Sequence, residues 1–353
     1  MNNYIYLRSL RHAEHTVFCV QDGQKSYYDQ QFGIRCAYSS GQQVKRSILD
    51  SILDSLKEAQ APITFNYEIT KDNGISNKEP WSPCDPTYTD QLLGGWMRAQ
   101  TGETPVKRRS PFSISALRPI HPLLGGLENQ KENLTFDRSS NPNQHPVVVK
   151  DANGTILTEE QIAQFLSENK RTSPRRNWIP DNTRATGLFV YDVVIDLRTL
   201  FSVSTNQHEP ELTLEKIEKL KSDNWVIGKN SFGECLVCPK ERREKVIEAV
   251  ASGLINWRIT SNQSRTFSLM ETLAISISDN ANKLAASIRA ELNEERERSA
   301  KPVIDKNTGA DVYVTLPCNG YIAGAGAELN ALENAEAKLK ELMLAYDYEN
   351  QLL

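Results

Sequence analysis

The sequence predicts an α+β fold in which a ferredoxin-like strand–helix–strand–strand–helix–strand unit is split by a long insertion. Three observations point there. One strong amphipathic helix pattern, near residues 40–62, stands between two β-patterned segments. Residues 70–185 then hold most of the chain's sixteen prolines and few periodic runs. After residue 186 strand, helix and strand patterns resume. The expected organisation is therefore 1–69 as the first part of the sheet domain, 70–185 as the insertion, and 186–353 as the second part with a closing helix.

Taken in order, "YIYLRSLRHAEHTVFCV" alternates and is rich in β-formers, which predicts a long strand or hairpin arm. "VQDGQKSYYDQQFGIRCAY" is polar and turn-rich, with Asp22-Gly23 its clearest turn. In "SSGQQVKRSILDSILDSLKEAQAP", Val44, Ile48, Leu49, Ile52, Leu53 and Leu56 recur at helical spacing. Ser40 and Gln43 form a capping-box pattern there, and Pro62 lies just beyond the end. "ITFNYEI" at 63–69 reads as a strand. Inside the insertion, "LTEEQIAQFLSENK" predicts a short helix capped by Thr158, and "KRTSPRRNWIPDNTRA" a basic, proline-broken loop around Trp178. Beyond it, "GLFVYDVVIDLRTLFSVS" is strongly β, and "SFGECLVCPKERREKVIEAVASGLINW" reads strand, turn, helix. "QSRTFSLMETLAISIS" reads as a strand pair, "VYVTLPC" as a strand, and "AGAELNALENAEAKLKELMLAYDYE" as the closing helix.

Composition narrows the class. With 353 residues, 39% hydrophobic and 24% charged, the chain has ample core material. No apolar run approaches the roughly 18 residues that span a membrane. Arg8, Arg11 and Glu14 interrupt the opening segment, so no signal-peptide pattern is present and the expected location is cytoplasmic. The six cysteines are scattered, and reduced thiols are expected. Cys235 and Cys238 form a CxxC without a second ligand pair, which favours strand thiols over a structural zinc site. No HExxH, Walker A or GxSxG pattern occurs. His12 and His15, three apart on a strand, point to opposite faces and do not suit a shared metal. No cofactor is expected.

The net charge of −4 hides an uneven distribution. Arg98, Lys107, Arg108, Arg109 and Arg118 stand against Glu103 alone in 98–118, and 170–184 is similarly basic. The closing segment is acidic, with Glu328, Glu333, Glu336, Glu341, Asp347 and Glu349. Such asymmetry suits an anionic ligand on one side. The start of the 40–62 helix offers free N–H groups at Ser40, Gly41, Gln42 and Gln43, with Lys45 and Arg46 beside them. That is an arrangement for phosphate, although an ordinary capped helix with solvated cations has the same pattern. "WRITSNQSRTFSL" supplies Asn262, Gln263, Ser264 and Arg265, short polar groups fit for a sugar-phosphate chain or for a plain hairpin turn.

In their order and spacing these segments resemble the CRISPR-associated Cas seven family, in particular the DevR-type backbone subunits of Cascade-like type I surveillance complexes. "SSGQQVKRSILDSIL" is similar to the family's first palm helix. "YTDQLLGGWMRA…VKRRSPFSISAL" is similar to its Asp-x-Leu-φ-Gly-aromatic-Met segment and the basic strand that follows. "GLFVYDVVIDLRTLFSVS" and "SNQSRTFSLMETLAISIS" resemble its long palm strand and its polar loop. The resemblance covers most of residues 1–280. It implies an RRM-like palm with inserted finger and thumb elements. It also implies a non-catalytic subunit, copies of which stack along a CRISPR guide RNA. Target DNA would be met through the guide, with a Cas five subunit and a large subunit as further partners. The implied RNA-contact set is Arg8, Arg11, Ser40, Gly41, Gln42, Gln43, Lys45, Arg46, Lys107, Arg108, Arg109, Arg175, Arg176, Asn262, Gln263, Ser264 and Arg265. Two other functions fit less of the pattern: a type III-like backbone subunit cleaving target RNA with Asp22 or Asp29, and a stand-alone RNA-binding protein.

Overall fold

A computed structural model of the chain describes residues 2–18, 24–71, 74–99, 102, 104–129, 135–137, 148–170, 175–177, 183–259, 267–294, 298–322 and 325–352, with the backbone alone at 128–129, 135–137, 175–177 and 319. The fold mixes helices and strands around a main antiparallel sheet. Two compact units are present: residues 1–126 with 185–353, and residues 127–184.

In the larger unit, strand Tyr4–Thr16 is central. It pairs antiparallel with Thr183–Asp196 on one side and with Thr272–Ser278 on the other. Asp311–Val314 extends the sheet beyond Thr272–Ser278. The short strands Phe112–Ile114 and Arg118–Pro119 lie along the other edge of Thr183–Asp196. Helix Gly41–Leu56 falls in sequence between the central strand and Phe112–Ile114. Helix Lys240–Asn256 falls between Thr183–Asp196 and Thr272–Ser278. The two helices pack together. Alternation builds the face beneath them. Ile5, Leu7, Ser9 and Arg11 on the first strand, and Phe189, Tyr191, Val193 and Ile195 on its neighbour, are all buried. The closing helix, Ala331–Leu344, packs on Lys240–Asn256 and on the sheet. Its buried residues, Ala331, Ala335, Leu339 and Met343, recur every four positions. The opposite face of the sheet carries a second small core of Leu10, Leu188, Val190, Ala274, Val314 and Ile322.

The expected helices at 41–56 and 159–168 are present with their caps: Ser40 accepts from the Gln43 N–H, and Thr158 and Gln161 form a full capping box. Other expectations are corrected. "ITFNYEI" does not join the main sheet. It forms a separate hairpin, Thr64–Ile69 with Ile75–Trp81. The strand that follows the first helix within the sheet is Phe112–Ile114, so residues 70–126 belong to the larger unit and the second unit begins at 127. Alternation alone cannot say which sheet a strand joins. "QSRTFSLMETLAISIS" contributes one strand, Thr272–Ser278, among the described residues. The closing helix starts at Ala331, several residues later than the sequence suggests. In the smaller unit, helix Glu159–Glu168 has only Ile162 buried, and strands Thr135–Asp137 and Arg175–Asn177 pair antiparallel. Among the described residues no helix is long and apolar enough to cross a membrane.

Candidate nucleic-acid interface

The segment "TDQLLGGWMRA" shows why two glycines precede the basic run. Helix Thr89–Gly94 ends at Gly95, whose φ of 77° is left-handed. A Cβ on Gly95 would lie 2.5 Å from the Arg108 carbonyl oxygen and 2.8 Å from the Ser110 nitrogen. Only glycine allows that approach. The chain then enters strand Trp96–Arg98, which pairs with Val106–Arg108. Strand alternation sorts the cations: Val106 and Arg108 are buried, whereas Lys107 and Arg109 are exposed.

Arg108 is therefore part of the interior. Its guanidinium donates to the carbonyls of Leu92, Thr199 and Ser202 and lies 5.3 Å from the centre of the Trp96 ring. Burial brings its pKa down to about 10, against the opposing pull of Glu211. The ends of the same short helix take two more side chains. Ser110 Oγ donates to the Leu93 carbonyl at 2.7 Å, and Lys45 Nζ donates to the Gly94 carbonyl at 3.0 Å. The last carbonyls of a helix have no partner within it, and donors or cations there are stabilising. Lys45 and Arg108 do that work. Burial, with Arg108 nearby, lowers the Lys45 pKa to about 8.

Arg11 has the same role at another helix. It is fully buried and donates to the carbonyls of Ile255 and Trp257 at 2.6 and 2.7 Å. Tyr191 OH donates to the Leu254 carbonyl, and Arg258 to those of Asn256 and Trp257. The C-terminal carbonyls of helix Lys240–Asn256 are thus satisfied by two arginines and a tyrosine. Desolvation lowers the Arg11 pKa, and its guanidinium carbon sits 4.3 Å from the centre of the Trp257 ring. Arg8 is half-buried and spoken for as well. It bonds Asp192 at 2.6 and 3.0 Å and donates to the Ile288 carbonyl.

At the start of helix Gly41–Leu56 the missing side chain of Gly41 makes room for the protein's own backbone. A Cβ there would lie 2.6 Å from the Ile114 carbonyl oxygen. Ser40 caps the helix, and Gln43 Nε2 donates to Ser47 Oγ at 3.4 Å. Gln42 and Arg46 face solvent, Arg46 with Asp50 at 3.0 Å. An exposed ion pair of this kind contributes little and yields readily to a ligand.

Of the sequence-derived set, Gln42, Arg46, Lys107 and Arg109 are exposed. Arg11 and Arg108 are buried, and Lys45 and Arg8 are partly buried with internal partners. Asn262, Gln263, Ser264 and Arg265 lie outside the described residues, as do the side chains of Arg175 and Arg176. Arg118, left out of that set, has a side chain 47% exposed, 3.8 Å from Asp192. The sequence reading also missed the hairpin Thr64–Trp81, where Phe65, Tyr67, Ile69 and Ile75 are 61–78% exposed. Its alternation resembles that of a core strand, so exposure was not legible there.

Asp29 shapes a turn: its Oδ1 accepts the Phe32 N–H at 2.9 Å and its carbonyl accepts that of Gly33. Asp22 lies outside the described residues. Cys235 and Cys238 are buried thiols, with burial pushing both upward, Cys238 to about 12.

The sequence matches no protein-family model and no curated protein. Among solved structures the chain is similar to one described as "CRISPR RNA-guided surveillance complex, pre-nicking", with TM-score 0.44 and 11% identity over 96% of this chain and 89% of that chain. It is also similar to one described as "CRISPR RNA-guided surveillance complex", with TM-score 0.37 and 10% identity over 96% and 84%. Both scores are low, and the site described above rests on this chain's own residues.

Proposed function

We propose that the protein is a non-catalytic backbone subunit that holds CRISPR guide RNA by its sugar-phosphate chain and oligomerises along it, in a cytoplasmic RNA-guided complex that targets DNA. The observation that carries this reading is the connection order of the main sheet. Strand, helix, strand, strand, helix, strand follow one another, and the fourth, first, third and second strands lie side by side. An RRM-like palm needs that order, and the four segments that resemble the Cas seven family supply its first helix, its basic strand, its long strand and the approach to its last strand. In this reading Lys107, Arg109, Gln42 and Arg46 contact the guide. Arg8, Arg11, Lys45 and Arg108 hold the scaffold.

Contacts of this kind fall on phosphates and carry no base identity. Sequence is then read by pairing between guide and target, as in other RNA-guided systems. Head-to-tail contacts between copies give open filaments, so oligomer length should follow RNA length. The test is to purify the protein with its partner subunits and measure both the bound RNA and the mass of the assembly. RNA of uniform length and a mass that rises with longer guides are expected. A monomer unchanged by guide RNA would overturn the reading.

A further inference from the structure

A cavity of about 330 Å³, lined by none of the cations discussed above, lies at the end of the main sheet. It lies where Tyr4–Thr16 begins, Thr272–Ser278 ends and Asp311–Val314 begins, beside the last turns of helix Ala331–Leu344. Small-molecule pockets run from roughly 300 to 1,000 Å³ and are mostly apolar with a few placed polar groups. This one fits that description. Ile5, Leu197 and Ile277 line it and are buried. Asp279, Asp311 and Lys338 line it too. Ile277 stands opposite Asp311 in the ladder, and Asp279 is two residues beyond Ile277.

The charges are not balanced. Lys338 is already paired with Glu341 at 3.2 Å. Asp279 accepts a hydrogen bond from the Asn2 amide. The Asp311 carboxylate has no hydrogen-bond or ion-pair partner among the described residues. Asp279 and Asp311 are both exposed, so water solvates them in the empty cavity, and two carboxylates beside an apolar floor disfavour an anion. A cation on an apolar stem satisfies both surfaces at once, because charge-assisted hydrogen bonds are the stronger kind and the stem removes apolar surface from water.

We propose that this cavity binds an alkylammonium group, with the stem on Ile5, Leu197 and Ile277 and the head between Asp279 and Asp311. A free polyamine and a lysine side chain of a partner protein share that chemistry. The test is calorimetric titration of the full chain with n-pentylammonium, 1-pentanol, spermidine and N-acetyl-lysine methylamide. Saturable one-site binding of pentylammonium is expected, at least tenfold tighter than pentanol. Asp311→Asn should weaken it about tenfold, and Ala345→Trp, which fills the opening from an exposed position, should abolish it. Circular dichroism checks that both variants fold. Spermidine binding tighter than pentylammonium assigns the site to free polyamines; the lysine derivative binding as tightly, with no gain for spermidine, assigns it to a protein side chain. Equal affinity for pentanol and pentylammonium, or binding unchanged in both variants, overturns the proposal. RNA binding should be unaffected by either variant, which keeps this result separate from the guide-RNA reading.

Discussion

Replacing Lys107 and Arg109 together by Ala, and Arg108 alone by Ala, should give opposite results. Lys107 and Arg109 are exposed on one side of their strand, while Arg108 points inward to three carbonyls. Each phosphate contact contributes about 0.7 to the log–log salt slope for single-stranded nucleic acid, so losing two should flatten the slope by about 1.4. Between about 50 and 200 mM salt that is roughly a sevenfold smaller loss of affinity. Unrelated RNA sequences should be affected alike, because phosphates do not report the base. Stability should barely change, since both side chains are on the surface. Arg108→Ala leaves buried carbonyls unpaired and should cost about 3–5 kcal/mol of stability, within the range for breaking a buried charged network. Filter binding at several salt concentrations reads the first effect, and urea unfolding followed by circular dichroism reads the second. An Arg108→Ala protein with an unchanged urea midpoint and a flattened salt slope would refute the reasoning, because the buried cation would then be the RNA contact.

Three further outcomes follow from the same geometry. Arg11→Met should lose about 1–3 kcal/mol in urea unfolding, since the Ile255 carbonyl would lack its donor while Trp257 keeps Arg258; an unchanged midpoint would rule out the helix-capping role. Lys45, lowered from 10.5 to about 8, binds fewer protons folded than unfolded between those values, so its contribution should become more favourable as pH rises through that window, by no more than about 3 kcal/mol. Urea midpoints of the wild type and Lys45→Met at pH 8 and pH 10 should diverge in that direction, and a difference constant with pH counts against it. Gly41→Ala, which helix propensity alone would favour by about 1 kcal/mol, should instead destabilise by about 2–4 kcal/mol because the Ile114 backbone is in the way; a more stable variant with weakened RNA binding would restore the open phosphate seat at this position.

Local signals carried much of the architecture. The period of Val44, Ile48, Ile52 and Leu53, with Ser40 before them, places a capped helix whose buried face is the one observed. The alternation of the opening strand and of Thr183–Asp196 separates inward from outward residues along most of their length. Such patterns are written in neighbouring residues, and a chain read alone contains them. The "VKRRS" run also contained its own answer, since a strand period puts its middle arginine on the opposite side from its flanking cations.

What the sequence could not determine was the partner of each element and each charge. The Thr64–Ile69 segment alternates like a core strand, yet its pairing with Ile75–Trp81 leaves its apolar side chains in solvent. Arg11 meets carbonyls 244 and 246 residues away, and Arg108 meets one 91 residues away. An exposed arginine and one that closes a distant helix look identical in a list of residues. The difference is made by desolvation and by the unpaired carbonyls at a helix end, and both arise only when the chain has folded.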